Sequence, residues 1–292
     1  MILEAFAKIN WSLDITGERE DGYHLMDMLM QPVSLADEIH LKAARDLSIS
    51  TAGHPAVRAN EKNLAYRAAA LLKSETRCPE GAAIHIQKSI PVGAGMGGGS
   101  TDAAAVLIGL NRLWHTGLSD SKLEELALGL GADVPFFIRG GLTRTRGIGE
   151  KLESLDCRSN YWLVVIQPCP GLSTMQVFSL WRNTPELKRP DTERAMQALE
   201  TGDAASLCVS ICNVLQPVST HLRPEIESAC EALLASGAMA AEMTGSGSAV
   251  FGVFRSGSAA ERAFAGLSRQ YHTIYLCHTQ HDSIRVTEEQ DL

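Results

Sequence analysis

Apolar and polar residues alternate loosely over residues 2–15, in the stretch ILEAFAKINWSLDI, and an alternation of period two is typical of a half-buried strand. A polar turn region, GEREDGYH, follows, and residues 24–32 and 36–43 show two further strand patterns. Strands that follow one another through turns predict an antiparallel sheet. Pro32 and residues 35–37 are expected to separate the second strand from the third.

The period changes beyond residue 60, where helix patterns begin. Asn63 is expected to cap a helix whose Leu64 and Ala68 start an apolar stripe, and residues 83–88 alternate again as a strand. That strand leads into a glycine-rich loop. The helix after the loop is apolar nearly all round, which predicts a buried central helix, and Gly109 within it favours close packing.

The rest of the chain is richer in helix patterns. An amphipathic helix is expected to end at Gly131 in a left-handed cap, and residues 136–148 are expected to form strand, glycine turn and strand. This order predicts an α+β chain with mixed or antiparallel sheets and two domains, residues 1–155 and 156–292. The remaining predictions are strands at 161–166, 239–244, 248–254 and 273–278, helices at 174–182, 191–200, 203–215, 224–236 and 257–269, and a frayed tail, VTEEQDL.

Composition and charge exclude several classes of protein. The chain has 292 residues, of which 45% are hydrophobic and 21% charged, as in globular proteins. A net charge of −8 without a dense Lys/Arg stripe argues against a nucleic-acid partner. No apolar run is long enough for a transmembrane helix, and the start, MILEAFAKIN, lacks the features of a signal peptide. We therefore expect a cytoplasmic protein without a membrane partner, whose seven scattered cysteines are reduced.

Five glycines fall within seven positions of the stretch PVGAGMGGGST, which covers residues 91–101. Glycines this dense let the backbone adopt positive φ and approach a ligand closely. Ser100 or Thr101 is expected to be the N-cap of the following helix, whose free N–H groups and positive dipole end favour a phosphate group. Because apolar runs flank the stretch on both sides, it predicts a phosphate site rather than a flexible linker.

Three other phosphate loops fit this stretch less well. A Walker A loop needs Lys and Ser/Thr directly after its last glycine, but Ser100 follows Gly99 and the next lysine is Lys122. The letters of a GxGxxG dinucleotide fingerprint are present from Gly93, but that fold requires a second strand with an acidic residue after the helix. A protein-kinase loop comes with HRD and DFG motifs, which this chain lacks.

Phosphoryl transfer to an alcohol also needs a carboxylate that accepts the hydroxyl proton. Asp133, between Gly131 and Pro135 in the patch GADVPFFI, is either that base or merely the first residue of an Asx turn. Lys8 lies in the first strand with Asn10 on the same face, and it points either to solvent or to Asp133. Facing Asp133, it would keep that carboxylate ionised and stabilise an alkoxide.

Three segments of the chain together resemble the GHMP kinases, the superfamily of galactokinase and of homoserine, mevalonate and phosphomevalonate kinases. They are AKINWSLDITGEREDGYHLM at 7–26, the glycine loop with GADVPFF at 131–137, and MTGSGSAVFGVF at 243–254. Their order and spacing also fit, so the resemblance covers nearly the whole chain. DGYH and the triple glycine are typical of a branch whose acceptor is a cytidyl-diphospho polyol. The resemblance implies the two-domain GHMP kinase fold, with helices packed on one side of the sheets and a deep cleft between the domains.

The resemblance also implies roles for individual residues. Lys8 and Asp133 would form the catalytic pair. The residues that would bind the acceptor, with its cytosine between two aromatic rings, are Asn10, Tyr23, His24, Thr174 and Phe178. Those that would bind ATP are Asn63, Lys88, Pro91, Val92, Gly93, Ala94, Gly95, Met96, Gly97, Gly98, Gly99, Ser100 and Thr101, with Gly245, Ser246 and Gly247 of the third motif also at the phosphates.

Some positions leave alternatives open or depart from the family pattern. Phe178 also fits an ordinary core aromatic on a short helix, because residues 174–185 match the family less cleanly. The family most often has Leu where this chain has Met96, and an aliphatic residue where it has Trp11. Neither departure removes a chemical group.

The resemblance thus implies an ATP- and Mg²⁺-dependent kinase that phosphorylates the 2-hydroxyl of a cytidyl-diphospho polyol, in the non-mevalonate route to isoprenoid precursors. The partner is then a small-molecule substrate, and the protein a monomer or weak homodimer. Three other interpretations compete with it: a GHMP kinase for a small alcohol without a cytidyl group, a non-catalytic nucleotide-binding regulator, and a dehydrogenase.

Overall fold

The computed structural model describes residues 1–20, 22–157, 160–182 and 188–288, and within these ranges the chain forms two β-sheets with helices packed against them. The strands are β1 (Ile2–Glu18), β2 (His24–Ala44), β3 (Ser48–Ala52), β4 (Gly81–Gln87), β5 (Leu142–Gly147), β6 (Lys151–Leu155), β7 (Trp162–Ile166), β8 (Cys212–Asn213), β9 (Ala240–Met243), β10 (Val250–Phe254), β11 (Ile274–His278) and β12 (Ile284–Glu288). The helices are α1 (Leu64–Thr76), α2 (Gly98–Leu113), α3 (Asp120–Leu128), α4 (Val134–Arg139), α5 (Thr174–Trp181), α6 (Thr192–Thr201), α7 (Ala204–Ser210), α8 (Gln216–Leu222), α9 (Glu225–Ala235) and α10 (Gly257–Leu267).

The larger sheet combines strands from both ends of the sequence. Its order is β12-β1-β2-β4-β3, while β5 also pairs with β2, β6 with β5, and β8 with β1. β1 and β2 run antiparallel, as the turn between them predicts. The smaller sheet, β11-β7-β10-β9, is antiparallel throughout. The predicted α+β class is therefore confirmed, whereas the domain boundary at residue 155 stays a prediction.

One strand stands where two were predicted, because β2 continues through Pro32. Residues 26–30 of β2 pair with β5 and residues 38–44 pair with β4, while β1 pairs with β2 along most of its length. Pro32 thus lies where β2 changes partner, a place at which a missing N–H group is tolerated. The predicted break at Pro32 and residues 35–37 is wrong.

The helix after the glycine loop, α2, is the buried central helix that its composition predicts. Residues 101–107 are all buried. A Cβ atom at Gly109 would overlap Leu41 Cδ1 and lie 3.2 Å from Leu3 Cδ1, which confirms the close packing expected there. Because Leu3 and Leu41 belong to β1 and β2, this packing fixes α2 against the two longest strands.

The segment GADVPFFI folds as a helix, whereas a strand was predicted from residue 136. Pro135 lies in the first turn of α4, where its fixed φ and missing N–H group suit the start of a helix. Phe136 and Phe137 are fully buried and pack edge to face. The preceding helix, α3, ends at a right-handed Gly129, so the left-handed cap predicted at Gly131 is also wrong.

Two smaller predictions also differ from the structure. The predicted helix 203–215 ends early, because Ile211 is extended and Cys212–Asn213 pairs with β1. Of the tail predicted to fray, residues 286–288 belong to β12, and residues 289–292 lie outside the described ranges.

Candidate active site

The glycine-rich loop, residues 93–99, follows β4 and runs into α2 with a backbone that favours glycine. Gly93, Gly95 and Gly97 have φ angles of +68°, +76° and +75°. L-residues with a side chain rarely adopt this left-handed region. A Cβ atom at Gly95 would in addition overlap the carbonyl oxygen of Thr244. Gly95 is therefore required both by its φ angle and by the close approach of another backbone.

The helix α2 begins earlier than predicted, because its N-cap is Gly97 rather than Ser100 or Thr101. Gly97 has no side chain and makes no side-chain capping bond. The first-turn N–H groups of a helix need acceptors from outside the helix. An anion placed at this end would accept from them and would also be stabilised by the helix dipole.

Four carbonyl groups in or next to the loop accept hydrogen bonds from other parts of the protein. Donors from β1, from the segment after β7 and from the residues around β9 and β10 hold them. These bonds turn several carbonyl groups away from the ligand side of the loop, which suits the binding of a phosphate by N–H groups. The bonds run from Lys8 N to Met96 O (3.0 Å), Ala249 N to Ala94 O (3.2 Å), Thr244 Oγ1 to Gly95 O (3.4 Å) and Gln167 Nε2 to Val92 O (3.1 Å).

Two cavities meet at the loop. The larger has a volume of about 750 Å³ and the smaller about 400 Å³. Both are lined by Gly93, Gly95, Gly97 and Ser100, so these four residues form their common border. A phosphoryl group at this border could therefore pass from a ligand in one cavity to a ligand in the other.

The predicted catalytic lysine is buried beside this border. Lys8 is 3% exposed, so it does not point to solvent. Its ammonium group donates a hydrogen bond to Asn10 Oδ1, and its Cγ lies close to Gly97. Burial lowers the pKa of Lys8, and the negative charge of Asp133 acts in the opposite direction. The structure therefore brings Lys8 and Asp133 near enough to interact.

Asp133 lies at the start of α4, but its side chain does not cap the helix. It is the N-cap residue by position, yet its side chain makes no capping bond. It lines the larger cavity together with Lys8 and Asn10. In an Asx turn the carboxylate would accept a hydrogen bond from a nearby backbone N–H group. Asp133 makes no such capping bond at α4, so the geometry favours a carboxylate that is available to a ligand.

Asn10 connects the first strand to the third glycine-rich segment. Its Oδ1 accepts from Gly245 N at 3.0 Å, and its own N–H donates to Thr244 Oγ1 at 3.0 Å. Because the same oxygen accepts from Lys8, Asn10 holds the lysine head in place. Ser246, next to this turn, lies 2.9 Å by its hydroxyl from Thr174 Oγ1.

The far end of the larger cavity is aromatic. His24 stacks on Phe178 with ring centroids 5.0 Å apart and an angle of 17° between the planes, and it packs edge to face on Trp181. Tyr23 also lines the cavity and is 62% exposed. Phe178 is thus a wall of the cavity, with one face of its ring against His24.

His24 has an open hydrogen-bonding position. Its Nδ1 is buried and has no partner among the described residues. Burial lowers the pKa of His24, and the charge of nearby Arg182 lowers it further. The ring is therefore neutral at neutral pH, with one nitrogen able to donate and the other to accept.

The smaller cavity is lined by Asn63, Lys88 and the predicted loop residues 91–100. The polar atoms of Asn63 are engaged, since Oδ1 accepts from Ala65 N and Nδ2 donates to Arg58 O. The ammonium group of Lys88 is held by two carboxylates. Two predicted residues, Thr101 and Gly247, line neither of these cavities.

Comparison with known proteins places these features in a family. Residues 63–141 match the family model described as GHMP kinases N terminal domain, and residues 195–273 match GHMP kinases C terminal. A 4-diphosphocytidyl-2-C-methyl-D-erythritol kinase of Symbiobacterium thermophilum is 47% identical over 87% of this chain and 90% of its own length. One of Moorella thermoacetica is 42% identical over 93% and 96%.

The chain belongs to the 4-diphosphocytidyl-2-C-methyl-D-erythritol kinase family of the GHMP kinases. A crystal structure of a 4-(cytidine 5'-diphospho)-2C-methyl-D-erythritol kinase superimposes with a TM-score of 0.82 at 34% identity, over 96% of this chain and 99% of the other. Homoserine kinase from Cytophaga hutchinsonii shares the fold at 18% identity with a TM-score of 0.77. The predicted GHMP kinase fold is confirmed, and as a GHMP kinase the chain is an ATP-using phosphotransferase for a small molecule.

Sequence reasoning missed two buried carboxylates of this GHMP kinase. Asp37 and Asp102 both bind the ammonium group of Lys88, and Asp102 lines the smaller cavity. Asp102 was detectable, because it is the single acidic residue in the otherwise apolar helix after the loop. Asp37 was not, because it was assigned to a break between strands that the structure does not contain.

Two kinds of feature were sought among the described residues, clusters of metal-binding side chains and membrane-spanning helices. Among the described residues, no group of three or more His, Cys, Asp or Glu side chains is arranged to hold a metal ion. In the same part of the chain, no helix is both long and apolar enough to cross a membrane.

Proposed function

We propose that this GHMP kinase transfers the γ-phosphoryl group of ATP to the 2-hydroxyl of 4-diphosphocytidyl-2-C-methyl-D-erythritol, in the non-mevalonate route to isoprenoid precursors. The observation that carries the proposal is the position of Lys8 and Asp133 in the larger cavity, beside the border formed by the glycine loop. ATP in the smaller cavity would present its last phosphate at that border. The acceptor hydroxyl would lie opposite it, in the larger cavity.

In this arrangement Asp133 accepts the proton of the acceptor hydroxyl as its oxygen attacks the γ-phosphorus, and ADP leaves. The positive charge of Lys8, which interacts with Asp133, stabilises the negative charge that develops on the attacking oxygen. The N–H groups at the start of α2 stabilise the transferring phosphoryl group. Most of the catalysis thus comes from position and electrostatics, as is usual for phosphoryl transfer.

The aromatic end of the larger cavity suits the cytosine of the acceptor. Phe178 offers a ring face, Tyr23 is exposed at the same cavity, and His24 Nδ1 is an unused hydrogen-bonding atom. A nucleobase presents both a π-face and polar edges, so stacking and hydrogen bonding fit it together. Thr174, linked to Ser246, would hold the part of the acceptor between the base and the polyol.

Mg²⁺ is a further part of the proposal. Ser100, at the border of the two cavities, supplies a hydroxyl oxygen of the hard type that Mg²⁺ prefers. The bound ion would neutralise charge on the phosphates of ATP. Since every residue named here comes from a single chain, we also propose that a monomer, or a weak homodimer, is active. We further propose that the two domains of the chain divide near residue 155.

The proposal is tested by measuring ADP release by the purified protein with ATP, Mg²⁺ and 4-diphosphocytidyl-2-C-methyl-D-erythritol. Parallel reactions contain mevalonate, homoserine or no acceptor. Release that depends on the cytidyl acceptor alone supports the proposal. Turnover of mevalonate or homoserine instead would support a GHMP kinase with another acceptor and would reject the cytosine site. ATP binding without turnover of any acceptor would favour a non-catalytic nucleotide-binding regulator.

Replacing Phe178 by Ala is expected to raise the KM for the cytidyl acceptor by about 5- to 150-fold, because base stacking on an aromatic ring contributes about 1–3 kcal/mol. The KM for ATP should stay within twofold. Steady-state kinetics with each substrate varied in turn measure both values. Phe264→Ala, on α10 and away from both cavities, is the matched control. An unchanged KM for the acceptor in Phe178→Ala would show that Phe178 does not stack on the base and is an ordinary core aromatic.

A further inference from the structure

The third glycine-rich turn, residues 244–247, lies directly against the glycine loop. A Cβ atom at Gly245 would lie 2.7 Å from the carbonyl oxygen of Gly95, and the φ of Gly245 is +57°. Gly245 N donates to Asn10 Oδ1 at 3.0 Å, and the same oxygen accepts from the ammonium group of Lys8. The position of this turn therefore fixes the oxygen that holds the head of the lysine.

One buried side chain, Asn213 of β8, holds the backbone on both sides of Thr244. Its Nδ2 donates to the carbonyl oxygens of Met243 and Gly245, both at 2.8 Å. Its Oδ1 accepts from Leu215 N at 3.0 Å, and this bond fixes the orientation of the amide. Asn213 is 1% exposed. The polar atoms of its side chain are thus all used to join β8 and the residue after next to the turn.

Asn213 is itself attached to the strand that carries the catalytic lysine. β8 pairs in parallel with β1, with Asn213 opposite Leu13, and Val214 N donates to Leu13 O at 3.0 Å. The backbone N–H of Asn213 also donates to Glu242 Oε1 at 3.2 Å. A chain of hydrogen bonds therefore runs from β1 through Asn213 to the turn and returns to β1 at Asn10. A buried network in which every member is bonded favours a single position of the turn.

Two further side chains from α8 bond to the same stretch, but neither replaces Asn213. Gln216 Oε1 accepts from Met243 N at 2.7 Å, and Ser219 Oγ donates to Ser246 O at 3.4 Å. In the described part of the chain, Gly245 O accepts a side-chain hydrogen bond from Asn213 alone. The peptide groups on both sides of Gly245 therefore depend on two asparagines, Asn213 and Asn10.

We propose that Asn213 is a positioning residue for phosphoryl transfer, which acts through Gly245 and Asn10 on the ammonium group of Lys8. The inference rests on the proposed function, because that function assigns Lys8 to the attacking oxygen. Asn213 lines neither cavity, so it touches neither substrate. Without its two donor bonds, Gly245 N is free to move away from Asn10 Oδ1, and the lysine head loses its fixed place. Stabilisation of the transition state depends on that place.

Asn213→Asp removes the two donors and keeps the size of the side chain. The new carboxylate would be repelled by the carbonyl oxygens of Met243 and Gly245, while Leu215 N could still donate to it. We expect kcat to fall by about 10- to 100-fold. The affinity for ADP should stay within about twofold, because the turn does not line the smaller cavity. Steady-state kinetics and calorimetry of the full-length protein measure the two values.

Asn111→Asp is the matched control. Asn111 holds another stretch of backbone in the same manner, since its Nδ2 donates to Leu118 O at 2.9 Å and its Oδ1 accepts from Leu118 N at 2.9 Å. It lies at the far end of α2 and lines neither cavity. The substitution there should lower the melting temperature and leave kcat unchanged. An unchanged kcat in Asn213→Asp, or a loss of kcat that only follows the folded fraction in both variants, would overturn the inference.

A double-mutant cycle tests the route through Asn10. Asn10→Ala removes the oxygen that both Gly245 N and Lys8 use. Adding Asn213→Asp to it should therefore lower kcat by less than about twofold further, because the two residues act on the same bond. If the effects of the two substitutions multiplied as independent effects do, Asn213 would not act through Asn10.

Hydrogen exchange tests the inference without any substrate. The N–H of Gly245 is buried and bonded, so it should exchange slowly in the wild type. Exchange in residues 243–249 should rise by about tenfold or more in Asn213→Asp and stay at the wild-type rate in Asn111→Asp. Unchanged exchange in Asn213→Asp would overturn the inference. Wild-type protein that shows the slow exchange but no acceptor-dependent ADP release would instead contradict the proposed function, so the two failures are distinguishable.

Discussion

We expect Asp133→Asn to lower kcat by about 10²- to 10⁴-fold, the range by which a positioned general base accelerates proton transfer. Asn keeps the shape of the side chain but cannot accept the proton of the acceptor. The carboxylate makes no capping bond at α4, so its loss should leave the helix and the melting temperature unchanged. Steady-state kinetics and thermal melting measure the two effects.

The control for this substitution is Asp282→Asn, which removes an equally negative charge from an exposed site. It should retain full activity. The affinity of Asp133→Asn for ADP should also be retained, because Asp133 does not line the smaller cavity. Full turnover by Asp133→Asn would show that the base is another group. A parallel loss of activity and melting temperature would make Asp133 a structural residue.

Replacing Gly95 by Ala is expected to abolish ATP binding and to lower the free energy of unfolding by about 2–5 kcal/mol. The new methyl group would meet the carbonyl oxygen of Thr244, which is backbone and cannot rotate away. The φ of +76° adds strain for any residue with a Cβ atom. Calorimetry with ADP and chemical denaturation measure the two losses.

Gly266→Ala is the matched control, because a Cβ atom there would meet no other atom within 4 Å and the position lies inside helix α10. It should bind ADP normally and be slightly more stable, since Ala favours a helix more than Gly does. If Gly95→Ala bound ADP as tightly as the wild type, the conformation of residues 93–99 would not be what creates the nucleotide site.

The sequence predicted the parts of this fold that depend on local pattern. The strand β1, the Asn63 cap of α1 and the buried character of α2 each follow from a few neighbouring residues, and each is confirmed. The half-buried character expected of β1 is wrong, because residues 5–13 are all buried. The glycine loop was recognisable for the same reason, since a backbone that needs positive φ angles must contain glycine at those places.

The predictions that failed depend on contacts distant in sequence. The continuity of β2 through Pro32 follows from a change of partner between β5 and β4, which no local pattern reveals. The helix over GADVPFFI looks like a strand by hydrophobicity, and Pro135 was the missed sign of a helix start. The stack of His24 on Phe178 joins residues more than 150 positions apart.

The pairing of β1 with β12 has a consequence for how the chain is made. Ile2 pairs with Glu288 and Ala5 with Ile284, so the first strand finds this neighbour only near the other end of the sequence. While the chain is growing on a ribosome, residues 2–5 of β1 lack this neighbour until residues 284–288 have emerged. An unpaired strand edge is a template for aggregation. Stalled or truncated products would therefore expose an edge of the strand that carries Lys8.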